Sequence, residues 1–521
     1  MIHYCKTKLL IIWLLSCLIA FSSCTHGVPI SENISMSTLP PANAHHIAPI
    51  GDAALEYTAE AALFLPRYDS ARLLSITENI AFSPARPPAE SLVRALITHA
   101  GNGMVAPLAG NIRLALYGVN SVEVSRDVAT VNLAASVLQL DRKTFYLACQ
   151  AITNTLTRLS GINYVNILVM DKQLGLDIEG TLSAGTLSRS VGEDIGAAYE
   201  QQLSQRVGFN EQAADKGLVS MATLYFPLPG SNGILPEVRS ISFDNQIPED
   251  MVVRLLLELS AGPQQLTSLP TLALLRDLLT EPPSFSTAPE ISGNIVTLRF
   301  SHMFDDMLDA FQLTRANCLA SICYTLSTFI PNLAGIRVYI GDTLVENVPL
   351  LVQNSGPLAL LFTDGVQYRN DYAAFLLDYC TLYFADENAQ KLVEVKRAVP
   401  YYQVHNPRAL LLELAKGPLS TDNAPNAKPI MPINALEDAS LLGFSLNGDT
   451  LLVNFAPAFA LVGEDLTVQE DRLLAYGLVN TLSAISRIRR VSFFVAGDLP
   501  LGFSGGIYWP GDFYKNSGLV H

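Results

Sequence analysis

The sequence predicts an α+β protein of three tandem β-α-β-β-α-β sandwich domains, each a small sheet with two helices on one face. Three observations predict it. An apolar strand recurs as Ala62-Leu63-Phe64-Leu65, Thr223-Leu224-Tyr225-Phe226 and Thr381-Leu382-Tyr383-Phe384, with offsets of 162 and 158 residues between its phenylalanines. A leucine-rich helix follows each strand. A Thr-Leu pair then precedes a strand-ending Asp by 16, 17 and 17 residues, as Thr155 to Asp171, Thr325 to Asp342 and Thr481 to Asp498. Repeats near 160 residues are too long for a solenoid unit and large enough to own a core.

Composition agrees. The chain is 521 residues long, 49% hydrophobic and only 16% charged, against about 25% charged in an average globular domain. Such a chain has ample apolar surface to bury, so it is not disordered. A net charge of −15 lacks the basic footprint that nucleic acid requires. Seven cysteines are too few for a disulfide scaffold of this length.

Residues 1–23 read as a signal peptide. Lys6 and Lys8 precede an apolar run from Leu9 to Phe21, which is short for a span of about 20 residues. Phe21-Ser22-Ser23-Cys24 resembles the lipobox of bacterial lipoproteins, with Phe21 where Leu is usual. The resemblance implies lipidation, as by palmitate, at Cys24. Residues 24–55 then read as the lipidated cysteine and a flexible tether, rich in Ser, Thr, Pro, Asn and His without apolar period. Without residues 1–23 the two lysines are lost and no acid is, so the charge falls from −15 to about −17. Attachment to anionic lipid would therefore rest on the acyl chain. Residues 56–192, 218–360 and 378–521 read as the three domains, with linkers at 193–217 and 361–377.

Within each domain the elements follow in order. The first helices are Glu90–Ile97, Asp250–Leu259 and Pro407–Leu414. Gly262-Pro263 and Gly417-Pro418 stop the last two, while Asp250 and Pro407 sit where an N-cap and a first-turn proline belong. A strand pair follows, whose second member is Ala129–Leu133, Ile295–Phe300 or Leu451–Phe455. Gly293-Asn294 and Asn447-Gly448-Asp449 supply hairpin turns. The second helix carries the Thr-Leu pair and leads to Val165–Val169, Ile336–Ile340 or Val491–Val495.

The repeats resemble GerMN domains, the modules of the sporulation and germination protein GerM. The carrying residues are Leu224-Tyr225-Phe226 and Leu382-Tyr383-Phe384, the Leu-Leu-x-Glu-Leu helices with Gly-Pro stops, Val453-Asn454-Phe455, and Asn480-Thr481-Leu482. The third copy is clearest and the first most divergent; three copies exceed the usual two. The resemblance implies a non-enzymatic extracytoplasmic lipoprotein, similar to ring-building domains. It would act as a scaffold or adaptor in a cell-envelope assembly of endospore-forming bacteria, with envelope proteins or peptidoglycan as partners and no cofactor. Alternatives are a glycan- or ligand-binding module and an envelope serine hydrolase.

Catalytic candidates are few. Gly502-Phe503-Ser504-Gly505-Gly506 matches a nucleophile elbow, but no helix follows, and only Asp512 and His521 could complete it. Gly belongs to the repeat here (Gly185, Gly356), which favours a turn. Gly101–Ala106 fits a loose dinucleotide fingerprint but follows a helix, so it reads as a helix stop. His302, Asp305, Asp306 and Asp309 form a compact acidic group. Acids recur at this join as Asp141, Glu464 and Asp465, which favours helix capping over metal binding. His45-His46 falls in the tether. Cys149, Cys318, Cys323 and Cys380 read as buried thiols. Trp509, with Tyr508, Phe513 and Tyr514, could close the third core or form a binding surface.

Overall fold

A computed structural model describes residues 47–68, 70–83, 86–175, 185–190, 195–197, 217–265, 288–351, 358–422, 424–500, 502–503 and 507–521. Ala48–His521 form one compact unit of mixed α and β structure. Strand β1 (Gly51–Ala54) opens it. The first stretch then runs β2 (Tyr57–Pro66), β3 (Leu73–Phe82), α1 (Pro88–Thr98), β4 (Val122–Ser125), β5 (Val128–Leu133), α2 (Arg142–Leu156), β6 (Tyr164–Val169) and β7 (Leu187–Ser188). The second runs β8 (Leu218–Pro227), β9 (Ile234–Phe243), α3 (Pro248–Ser260), β10 (Glu290–Ser292), β11 (Ile295–Phe300), α4 (Phe304–Asp309), α5 (Arg315–Phe329), β12 (Gly335–Ile340), β13 (Thr343–Leu344), β14 (Asn347–Pro349), β15 (Ala359–Leu361) and β16 (Val366–Tyr368). The third runs β17 (Leu377–Ala385), β18 (Leu392–Pro400), α6 (Pro407–Ala415), β19 (Leu441–Asn447), β20 (Thr450–Phe455), α7 (Val468–Leu482), β21 (Arg490–Val495) and β22 (Asp512–Tyr514).

The expected single opening strand is instead the first arm of a long antiparallel hairpin, β2-β3, β8-β9 or β17-β18. Each stretch therefore begins ββα rather than βα. In β18 the second arm has a period-two pattern that leaves one face half-open, with Val395, Arg397 and Val399 buried and Glu394 and Lys396 exposed. The remaining strands form a separate sheet, apart from β14 and β15, which pair with each other. In the third stretch β19 pairs antiparallel with β20, β20 parallel with β21, and β21 antiparallel with β22. Parallel neighbours need a crossover, and helix α7 supplies it. β5-β6 and β11-β12 are parallel in the same way, with α2 and α5 between them.

Three large apolar clusters form among the described residues, one mainly from each stretch. The recurring threonine has a defined task in all three. It lies buried on the crossover helix, and its hydroxyl accepts the backbone N–H of the first hairpin arm. The pairs are Thr155 with Phe64 at 3.0 Å, Thr325 with Tyr225 at 3.0 Å and Thr481 with Tyr383 at 3.1 Å. A hairpin of two strands leaves outward amides without a ladder partner, and buried amides must be satisfied. The Gly-Pro helix stop is explained likewise. Buried Arg397 of β18 donates to the carbonyls of Glu413 at 2.5 Å and Gly417 at 2.6 Å, capping α6. It also pairs with Asp422 and lies over Phe384. Arg239 of β9 repeats this on α3, with the carbonyls of Glu258 and Gly262 and the ring of Phe226.

Helix starts differ from expectation at two places. Asp250 lies inside the first turn of α3, whose N-cap is Ile247. Thr467, not Glu464 or Asp465, caps α7, in a reciprocal pair with Glu470. Asp141 does cap α2, accepting from the Thr144 N–H at 3.0 Å, and Asn406 caps α6 ahead of Pro407.

Two stretches read as connectors carry structure. Within 24–55, β1 joins the third sheet, pairing parallel with β19, and Leu55 enters the third core. Within 361–377, β16 pairs with β12, and Phe362, Tyr372 and Phe375 enter the second core.

Candidate functional site

The densest polar chemistry lies where the three stretches meet. Glu123 on β4 and Arg369, just after β16, form a buried ion pair with a closest approach of 2.5 Å. Arg369 also donates to Thr328 Oγ1 at 2.6 Å, and its guanidinium lies 3.7 Å from the ring centre of Tyr324. The Tyr324 hydroxyl donates to the other Glu123 oxygen at 3.2 Å. Burial opposes the Arg369 charge most strongly, but the Glu123 carboxylate together with Tyr225 and Tyr324 outweighs it and holds the guanidinium protonated. Burial, reinforced by Glu123, pushes the Tyr324 phenol well up, so it remains a donor. Both members of the pair are under a tenth exposed.

Beside this pair the β4-β5 turn reaches the other two stretches. The Ser125 hydroxyl donates to the Leu377 carbonyl. The Arg126 N–H donates to Asp378 at 2.9 Å, while its guanidinium donates to the Pro236 carbonyl at 2.8 Å. Burial pushes the Asp378 carboxyl up to about 6, against the pull of the Arg126 and Tyr379 amides. A third cluster ties β6 to β8. Asn166 donates to Thr223 at 3.0 Å and accepts from Thr186 at 2.9 Å. All these groups are internally matched donors and acceptors, an arrangement that fixes geometry.

The sequence-derived candidates are scattered. Cys24, His45, His46 and Ser504 lie outside the described residues. The other members of the elbow set have separate partners: Asp512 accepts from Ser492, and terminal His521 lies 3.5 Å from Asp386. Asp305 of the acidic group pairs with Arg315. Among the described residues no group of three His, Cys, Asp or Glu side chains is placed to hold a metal. Asn102 closes the Gly101 loop by accepting from the Met104 and Val105 amides. The four cysteines are free and buried, and burial pushes Cys318, Cys323 and Cys380 up to about 12. Thiols held that high are inert. Among the described residues no helix is long and apolar enough to cross a membrane.

The C-terminal aromatics divide. Trp509 is fully buried; its Nε1 donates to Asp471 at 2.8 Å, and Phe459, Phe493, Phe503 and Phe513 surround its ring. It closes the third core. Tyr508 and Tyr514 point outward, 76% and 62% exposed.

Sequence reasoning missed Arg369, because a lone arginine in an apparent linker carries no pattern. It also missed β1. The hairpin arms had a usable signal, since Pro229-Gly230-Ser231-Asn232-Gly233 separates two alternating runs. One sizeable cleft also escaped it. This cleft, of about 690 Å³, lies in the first stretch between β3, α1 and the segment 113–118.

Residues 67–175 and 381–499 match the family model Germane, described as sporulation and spore germination. The middle stretch lies outside both matched segments. Among solved structures the chain is similar to the tandem GerMN domains of the sporulation protein GerM from Bacillus subtilis, at 19% identity and a TM-score of 0.22, covering 60% of this chain and 99% of that one. It is also similar to a putative lipoprotein from Clostridium perfringens, at 18% identity and a TM-score of 0.19, over 27% of this chain and 88% of that one. The first GerMN domain of the same GerM matches at 16% identity and a TM-score of 0.20, over 27% of this chain and 98% of that one. No curated protein matches the chain.

Proposed function

We propose that this chain, two segments of which match the Germane family model of sporulation and spore germination, is a non-enzymatic scaffold of the cell envelope, tethered outside the membrane through lipidated Cys24. The observation that supports this most is the use made of the buried charges. Glu123 with Arg369 and Arg397 with Asp422 are spent on joining and capping elements. That is the economy of a rigid body that presents surfaces, rather than of a site poised to react.

We read the middle stretch as a third GerMN-like copy. Its Thr325–Tyr225 bond and its Arg239 cap repeat those of the third stretch. In this reading β1 matters mechanically, because it fastens the first folded residues after the tether to the edge of the third sheet.

The test is crosslinking and affinity purification from the membranes of sporulating cells, with Cys24→Ser as control. A scaffold brings down a reproducible set of envelope proteins, and the Cys24→Ser form leaves the membrane fraction. Recovery of the protein alone, from both forms, would sink the reading.

A further inference from the structure

The cleft in the first stretch has the form of a strand-receiving slot. Five consecutive residues line it, Asn79 to Phe82 at the end of β3 and the following Ser83. Alternate residues of a strand point to opposite faces, so an unbroken run marks a strand edge rather than a face. Among the described residues β3 pairs with β2 on one side and with no other strand. The opposite wall is a second unbroken run, Arg113 to Leu116. Its far edge is bonded to β5, through the Tyr117 N–H to Asn132 at 2.9 Å and the Ala134 N–H to Ala115 at 2.8 Å. Two strand edges thus border one open space.

The third stretch shows how a comparable edge is used. There β1 lies parallel to β19, and its backbone passes so near Gly443 that a side chain at that position would clash with Gly51 and Pro49. Asn454 donates to the Pro49 carbonyl at 3.0 Å. Arg408 on α6 grips Asp52 with two bonds of 2.9 Å. The seat therefore has three parts: a strand edge, a close backbone approach and an arginine from the first helix. The cleft offers counterparts. Leu116 bridges Leu133 of β5, as Leu441 of β19 pairs with Phe455 of β20. Exposed Arg86, Arg94 and Arg113 line the slot, on a chain whose net charge is −15. Among the described residues Glu56 is the one acid that lines it, while Glu90 on α1 holds Arg94 at 2.8 Å and lies 3.9 Å from Arg86, which leaves Arg113 and most of Arg86 facing the slot.

We propose that this cleft binds an extended, acidic peptide segment of a partner protein by β-strand addition, its carboxylates facing Arg86 and Arg113. The proposal rests on the scaffold reading and names its contact surface. Main-chain pairing along β3 supplies affinity and the arginines supply selectivity for acidic sequence. The lining run of five residues spans roughly 16 Å of strand, so a segment of about five residues fills it.

The probe is a fluorescent peptide with the sequence of residues 48–56, which carries one Asp and one Glu. Its anisotropy is followed with the purified whole protein. Three comparisons are made: an Asn/Gln version, a version N-methylated at alternate residues, and the variants Arg86→Glu/Arg113→Glu and Arg408→Glu. Saturable binding should weaken about tenfold with the neutral peptide and with the double variant, and vanish on N-methylation. Circular dichroism confirms that the double variant, changed at two exposed positions, is folded. Equal binding of neutral and acidic peptides overturns the proposal, as does loss in Arg408→Glu alone, which would mean displacement of β1 from β19. Concentration-dependent self-association that the peptide blocks would make the occupant a second copy, and also overturns it. If co-purification succeeds and is indifferent to Arg86→Glu/Arg113→Glu, the scaffold reading stands and the cleft falls.

Discussion

Replacing Glu123 by Ala leaves Arg369 charged and buried, with one strong partner removed. Two neutral acceptors remain, Thr328 Oγ1 at 2.6 Å and the Tyr225 hydroxyl at 3.4 Å. The Tyr324 ring at 3.7 Å adds a cation–π contact. These do not neutralise the charge, so the expected loss is that of a broken buried pair, about 3–5 kcal/mol. Glu123→Gln/Arg369→Met removes both charges and keeps the volume, and should recover most of that loss. Denaturant titration of the wild type, Glu123→Gln, Arg369→Met and the double variant, taken as a double-mutant cycle, measures the coupling. Trp509 sharpens the assay. Apart from Trp13 it is the only tryptophan, and it lies in the third core, whereas the pair joins the first stretch to the second. If the three cores unfold together, the Trp509 fluorescence midpoint moves with Glu123→Ala. A loss below about 1 kcal/mol, or a shifted far-ultraviolet transition with an unmoved Trp509 transition, refutes a single cooperative body held at this junction.

Three further outcomes follow from the same contacts. Thr481→Val keeps the shape but leaves the Tyr383 N–H unpaired and buried, costing about 1–3 kcal/mol; hydrogen exchange at Tyr383 should quicken, and Thr481→Ser should restore it. Asp378 titrates in the folded protein near 6 instead of 3.8, so the fold binds its proton more tightly than the unfolded chain does. Its contribution is fully present below pH 4 and is lost as pH rises through 6, by about 3 kcal/mol; Asp378→Asn should flatten that part of the stability–pH curve, and an unchanged slope would remove Asp378 as its source. A palmitate analogue should label the wild-type protein and not Cys24→Ser, with persistent labelling placing the lipid elsewhere.

Much of the fold was legible because local signals and tertiary contacts agree. The Thr-Leu pairs recur since each threonine has the same backbone partner, and the Gly-Pro stops recur since an arginine reads the carbonyls before them. Such contacts lie within one stretch and leave a period in the sequence. The hairpins were half-legible: the aromatic arms repeat, whereas β3, β9 and β18 share a pattern and few residues. The junction was not legible. Glu123 and Arg369 stand 246 residues apart and occur once, so no repeat or spacing announces them. β1 was hidden for a related reason. Its pairing with β19 is a property of the edge, and Gly51–Ala54 has almost no apolar pattern of its own.

A chain that repeats its own architecture faces a problem of assignment. Three similar apolar cores and several similar strand edges could dock in more than one order, because apolar contact is non-directional. The buried polar contacts break that degeneracy. A carboxylate at Glu123 can be buried only where a guanidinium waits, and among the described residues Arg369 is the one so placed for it. Ser125 and Arg126 demand the Leu377 carbonyl and Asp378 in the same way. Replacing these groups by apolar residues of like volume could leave stability intact while losing the unique order, the role such pairs play in fixing register elsewhere. The Glu123→Gln/Arg369→Met variant therefore asks a second question. If it is as stable as the wild type but samples more than one arrangement, seen as doubled amide resonances around Ser125 and Asp378, the pair specifies the assembly. A single wild-type-like set of resonances would assign that role to the packing alone.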